Sequence, residues 1–114
     1  KHRLLLNDLL KKLKSQGKSV YGYGASTKGN VILQYCNINK KNLRYIVEVN
    51  KFKFNRFTPG TKIKIISEKL LNKKKPDYLL VLPWHFKEHI IKKEKKFLDN
   101  GGKLIFPLPE IEII

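Results

Sequence analysis

Ten residues, Tyr21 to Asn30 ("YGYGASTKGN"), gather three glycines, two aliphatic hydroxyls and an ammonium. Gly22 and Gly24 carry no Cβ, so the backbone can turn tightly there and come close to a ligand. If a helix starts near Ser26, the amides from Ala25 to Gly29 are its first, unpaired donors, and its dipole favours an anion in front of them. The Ser26 and Thr27 hydroxyls and the Lys28 ammonium add donors, and Asn30 closes the stretch. That chemistry suits a phosphate or pyrophosphate. The same residues also suit a plain strand-to-helix turn capped by Ser26. A dinucleotide fingerprint would place glycine where Thr27 stands, and a P-loop would place lysine after Gly29, so neither motif is matched.

Further along, Glu48 stands at the end of an apolar run, where an acid can accept hydrogen bonds from a ribose diol or simply offset nearby lysines. Asn50 follows two places on, and Thr58-Pro59-Gly60 reads as a turn. Trp84 suits stacking on a base or sugar, or ordinary core packing. His85 is the one catalytic candidate: it suits a general base, an anion ligand when protonated, or a helix cap. His2 and His89 read as surface residues of helices.

The elements that must position these residues follow from periodicity. Leu5, Leu6, Leu9, Leu10 and Leu13 recur at helical spacing, with Gly17 as the stop. "SVYGYG", "LRYIVEV", "IKII", "PDYLLVLPW" and "KLIFPLP" read as five strands. "STKGNVILQYC" is a helix capped by Ser26 or Thr27, "SEKLLNKK" a short one capped by Ser67, and residues 50 to 62 a long loop. "HFKEHIIKKEKKFLDNGG" reads as one amphipathic helix with Phe86, Ile90, Phe97 and Leu98 facing inward, and "EIEII" alternates like an edge strand without a clear place. This alternation predicts an α/β fold: a Rossmann-like parallel sheet of about five strands, in an order near 3-2-1-4-5, with helices on both faces. All strands then end at one edge. The glycine stretch and "PWHF" should meet there, beside the reversal of strand order where ligands bind.

Length and composition bound the rest. The 114 residues, 41% of them hydrophobic, suffice for one domain, and the absence of an initial methionine suggests a piece of a longer protein. A formal charge of +16 invites a nucleic-acid reading, but only Arg3, Arg44 and Arg56 are arginines among 25 basic residues. Arginine is the residue of forked phosphate and guanine contacts. Spread lysines beside abundant asparagine and isoleucine instead indicate a solvated surface, so nucleic acid is not the expected partner. The single cysteine, Cys36, excludes a disulfide framework and a multi-cysteine zinc site. "YLLVLPW" is too short to span a bilayer, and no secretory signal is evident, so a cytoplasmic setting without a membrane partner is expected.

Four blocks, "GYGASTKGNVILQYC", "RFTPGTKIKI", "KPDYLLVLPWHF" and "FLDNGGKLIFPLP", stand in a familiar order and spacing over nearly the whole chain. The chain resembles the C-terminal domain of S-adenosylmethionine-dependent C-methyltransferases that build branched deoxysugars on nucleotide carriers. The resemblance implies a Rossmann-like substrate-side domain that is not catalytic alone. It implies a nucleotide-sugar substrate lying between this domain and an upstream methyl-donor domain, which binds S-adenosylmethionine. Zinc would belong only to a separate N-terminal cysteine-rich module. Residue by residue, Gly24 to Asn30 match the family's glycine loop, Thr58 to Gly60 its turn and Pro83 to Phe86 its "PWHF" block. Glu48 replaces a usual aspartate and Asn50 matches. Val49, Lys51 and Asn55 depart from a usual arginine, proline and glycine, all in the loop after the second strand. Two other readings remain: a stand-alone mononucleotide-binding domain for NAD or a nucleoside diphosphate, and a basic nucleic-acid-binding module.

Overall fold

Strict alternation of apolar side chains organises the molecule. The structure, a computed structural model, describes residues 2–114, without the side chains of residues 2, 3, 27, 28 and 72. Its strands are β1 (Val20–Tyr23), β2 (Tyr45–Glu48), β3 (Lys64–Ser67), β4 (Tyr78–Val81), β5 (Lys103–Phe106) and β6 (Glu112–Ile113). Val20, Ile46, Ile65, Leu80 and Ile105 point into one core cluster, while Tyr21, Val47, Ile66, Leu79 and Leu104, their immediate neighbours in sequence, point into another. Each strand is therefore apolar on both sides, the condition for a sheet covered twice.

Helices do the covering. Leu6, Leu10 and Leu13 of α1 (His2–Ser15) and Leu33 of α2 (Thr27–Tyr35) fill the first cluster. Ile90 of α4 (Lys87–Lys93) fills the second, with Leu71 of α3 (Leu71–Lys74) and Phe97 and Leu98 of α5 (Lys95–Asp99) packed against it. Leu5, at helical spacing with the buried leucines, lies just outside their stripe and is exposed. The sheet runs β3-β2-β1-β4-β5-β6, and β1 to β5 are parallel. This is the expected Rossmann-like order, with one strand more. The tail "EIEII" supplies it: β6 pairs antiparallel with β5, Ile105 opposite Ile113.

Two expectations need correction. The long helix predicted after β4 is broken. A 3-10 turn, Trp84–Phe86, precedes α4, and Glu94 leaves helical geometry between α4 and α5 at φ −99° and ψ 26°. The break turns the Glu94 carboxylate toward β1, where it accepts a hydrogen bond from the Tyr23 hydroxyl at 2.7 Å. Phe86, expected to face inward, is 57% exposed, because it lies in the 3-10 turn and not on the helical stripe. The loop after β2 is more ordered than its composition suggests. It opens with a 3-10 turn at Lys51–Lys53, capped by the Asn50 side chain, and returns through an antiparallel bridge between Phe57 and Lys64.

Candidate functional site

The reversal of strand order falls between β1 and β4, and the glycine loop meets the end of β4 there. Gly24 has φ +83°, a conformation that side chains rarely adopt, and a Cβ on it would lie 2.8 Å from Pro83 Cδ. Gly29, in the first turn of α2, is pressed onto the same strand end: a Cβ would come 2.4 Å from Leu82 Cβ. The loops after β1 and β4 are thus flush, as the sequence predicts.

The donors of the loop are arranged differently from the expectation of open amides. The Ser26 hydroxyl caps α2 by accepting from the Gly29 amide at 3.0 Å. The Ala25 amide donates to Glu48 Oε1 at 2.8 Å, and Glu48 Oε2 accepts from the Val49 and Asn50 amides at 2.9 Å each. Lys53 Nζ donates to the Ala25 carbonyl at 2.5 Å. One residue of the glycine loop is therefore gripped on both its peptide groups by charged side chains from the end of β2 and the turn after it. An anion does sit on the Ala25 amide, but it is the chain's own carboxylate. A carboxylate offers about four acceptor positions; with three taken, Glu48 has room for one further hydroxyl and not for the two of a diol.

Two cavities flank this grip. The first, about 240 Å³, is bounded by Tyr23, Gly24, Glu48, Glu68, Pro83 and Lys93, among others. The second, about 260 Å³, opens on the α2 side over Leu33, Ile46, Ile65 and Leu82, with Asn30, Thr58 and Pro59 around it. Ala25, Ser26 and Lys53 line both and form the wall between them. The first cavity carries charged side chains on its wall. Lys93 pairs with Glu68 at 3.5 Å. Burial raises the Tyr23 pKa, with further upward contributions from its hydrogen bond to Glu94 and from the carboxylates of Glu94, Glu68 and Glu48. In a chain with nine acidic residues against 25 basic ones, three carboxylates around one tyrosine are a concentration.

The other residues singled out in the sequence are divided. Thr58 is buried, and its hydroxyl is engaged by the Ile63 amide at 2.9 Å and by the Thr61 hydroxyl at 2.5 Å, so it closes the turn while its body lines the second cavity. The Pro59 carbonyl accepts from Gln34 Nε2 at 3.0 Å, and Gly60 takes φ +75° against the same glutamine. Gly22 is buried in β1 with Ile46 packed where its Cβ would be. Asn50, Trp84 and His85 line neither cavity. Asn50 is exposed and caps a 3-10 turn through its side chain. Trp84 packs against the second core cluster, and His85 is exposed, its ring 4.3 Å from that of Phe86. The side chains of Thr27 and Lys28 lie outside the described residues.

Sequence reasoning missed Tyr23, Lys53, Glu68, Lys93 and Glu94. The lysines carried no signal among so many. The glutamates did: where acids are scarce, an acid set among lysines after a strand or within a helix is a conspicuous choice. Among the described residues, no group of three or more His, Cys, Asp or Glu could hold a metal ion. No helix among them is long and apolar enough to cross a membrane.

A family model described as the C-methyltransferase C-terminal domain matches residues 1–109. The protein named C-methyltransferase NovU, from Streptomyces niveus, is 37% identical over 112 residues, which is 98% of this chain and 27% of that relative. The chain thus spans about a quarter of the relative's length. A match over nearly every element, from α1 through the glycine loop to the end of β5, places the chain in the family of C-methyltransferase C-terminal domains.

Proposed function

We infer that this chain is the substrate-side domain of an S-adenosylmethionine-dependent C-methyltransferase acting on a nucleotide-linked deoxysugar, and that it transfers no methyl group by itself. The observation that carries this reading is the first cavity, set at the reversal of strand order and walled by the gripped glycine loop. Open α/β sheets bind ligands at such a point. The remaining acceptor position on Glu48 suits a sugar hydroxyl, and the ammonium groups of Lys53 and Lys93 supply positive charge for a diphosphate. With the amide of Ala25 already occupied by Glu48, these side chains supply the charge opposite the anion. The work of the domain is to bind, orient and exclude water.

The methyl donor and zinc belong elsewhere in this reading. Glu48, the strand-end acid that could hold a donor's ribose diol, is already committed to three amides, which does not suit S-adenosylmethionine. An upstream domain supplies that group, and zinc goes with a further N-terminal module. His85 has no part, since it lines neither cavity. A nucleotide-sugar substrate accords with a cytoplasmic setting.

Calorimetric titration of the 114-residue chain with nucleotide sugars, NAD, S-adenosylmethionine and duplex DNA at two salt concentrations tests the reading. A nucleotide sugar should bind at both salts, and Lys53→Met should weaken it about tenfold, the loss of one charge-assisted contact of ~1.5 kcal/mol. Tight, strongly salt-dependent DNA binding without nucleotide-sugar binding would overturn it. Selective binding of NAD, or methyl transfer by the chain alone, would do the same.

A further inference from the structure

We propose that the second cavity receives the nucleobase of the substrate's nucleotide carrier, an assignment that rests on the nucleotide-linked substrate inferred above. Size is the first argument. At about 240 and 260 Å³, each cavity is below the roughly 300–1,000 Å³ of ordinary ligand pockets, so neither holds a whole nucleotide sugar. The two share the wall of Ala25, Ser26 and Lys53, so a ligand with two lobes and a short linker can occupy both by crossing that wall.

Chemistry assigns the lobes. The first cavity is lined by Glu48 and Glu68 and suits a hydroxyl-rich group. Among the described residues, the second is lined by no carboxylate and by one charged side chain, Lys53, and its floor is Leu33, Ile46, Ile65 and Leu82. A flat, uncharged, largely apolar ring suits that floor. A nucleobase also needs an edge partner, and Asn30 lines this cavity. Its Oδ1 is buried and has no hydrogen-bond partner. Buried amide oxygens are nearly always paired, so an orphan beside a cavity points to a group that arrives with the ligand. An asparagine amide offers both a donor and an acceptor, the combination that reads a base edge. The Thr58 hydroxyl cannot take this role, being engaged by Ile63 and Thr61. Lys53, on the shared wall, then meets the diphosphate between base and sugar.

The test uses the 114-residue chain with labelled Ile, Leu and Val methyl groups, titrated with the common nucleoside diphosphates and, as base-free probes, with pyrophosphate and ribose 5-phosphate. At least one nucleoside diphosphate should shift the Leu33, Ile46, Ile65 and Leu82 methyls and show ligand-to-methyl Overhauser contacts there, and the base-free probes should not. Asn30→Ala should weaken that nucleoside diphosphate roughly five- to thirtyfold, the range for one lost hydrogen bond, and leave pyrophosphate unchanged. Asn30→Asp keeps the side chain's size, and its fold is checked by urea denaturation; it should reorder the preference among bases. Base-dependent shifts confined to Val47 and Val49 of the first cavity, or an unchanged base preference in Asn30→Asp, would overturn this assignment and leave the inferred substrate standing. Failure of every nucleoside diphosphate and nucleotide sugar to bind would overturn both.

Discussion

The loop after β1 and the turn after β4 leave the same edge of the sheet on adjacent strands, yet they end in opposite circumstances. The first is held by Glu48 from the end of β2 and Lys53 from the turn after it, capped by Ser26, and bordered by two cavities. The second, Trp84–Phe86, has no side-chain cap. It sets Trp84 on the core and leaves His85 and Phe86 in solvent. By residue type alone, an indole beside an imidazole promises more chemistry than Ala25 does. The difference teaches that a site depends on what a second element brings to a loop. The end of β2 and the turn after it reach Ala25 with two opposite charges and thereby build walls.

The two loops meet at Gly24 and Pro83, and the largest expected effect breaks that seam. Gly24→Ala should destabilise the chain by roughly 2–5 kcal/mol, combining a left-handed backbone penalty of about 1–2 with overpacking of about 1–3 against Pro83. Gly17 provides the control, since it has φ +76° but nothing within 4 Å of its missing Cβ. Gly17→Ala should show the backbone penalty alone. Urea denaturation compares the two, and equal losses would mean that the loops do not meet tightly.

A smaller effect sharpens the contrast from inside the first cavity. Tyr23→Phe removes the hydroxyl that donates to Glu94 and should cost about 1–3 kcal/mol by leaving that carboxylate unpaired. The sign with pH follows from the raised Tyr23 pKa, which burial causes first and the Glu94 hydrogen bond second. A group whose pKa is higher in the folded state contributes its full stability below the unfolded value, about 10 for tyrosine. It loses that contribution as pH rises toward the folded value. The stability gap between the parent chain and Tyr23→Phe should therefore be constant through neutral pH and narrow above about pH 10. A gap independent of alkaline pH would show that Tyr23 is not held protonated by its surroundings.

Periodicity made the architecture legible. Strand alternation gave a twice-covered sheet, and the glycines before α2 gave the crossover beside β4. The tail's alternation was visible too, but two residues of strand cannot show which edge they join, because pairing with β5 depends on where the preceding prolines send the chain. The break at Glu94 was hidden for a similar reason: the carboxylate's partner there is a hydroxyl on β1, 71 residues away in sequence. At the site, the glycines and Ser26 were readable because their roles are local. Glu48 was recognised as an acid at a strand end, but its engagement with the Ala25 amide arises only when β2 lies beside β1. Lys53 was unreadable among so many lysines; its distinction is the carbonyl it reaches and not its type.

The smallest effect tests the other side of the comparison. His85 is exposed, lines neither cavity, and touches the rings of Trp84 and Phe86, at 5.4 and 4.3 Å between centroids. Exposed side chains away from caps and networks change stability by no more than about 0.5 kcal/mol when replaced. His85→Ala should stay within that range and leave nucleotide-sugar affinity unchanged. Calorimetric titration of the variant beside the parent chain decides the matter. A clear loss of affinity would mean that the ring meets the ligand. The turn after β4 would then belong to the site as fully as the glycine loop, and walls would not be what separates a binding loop from a bystander here.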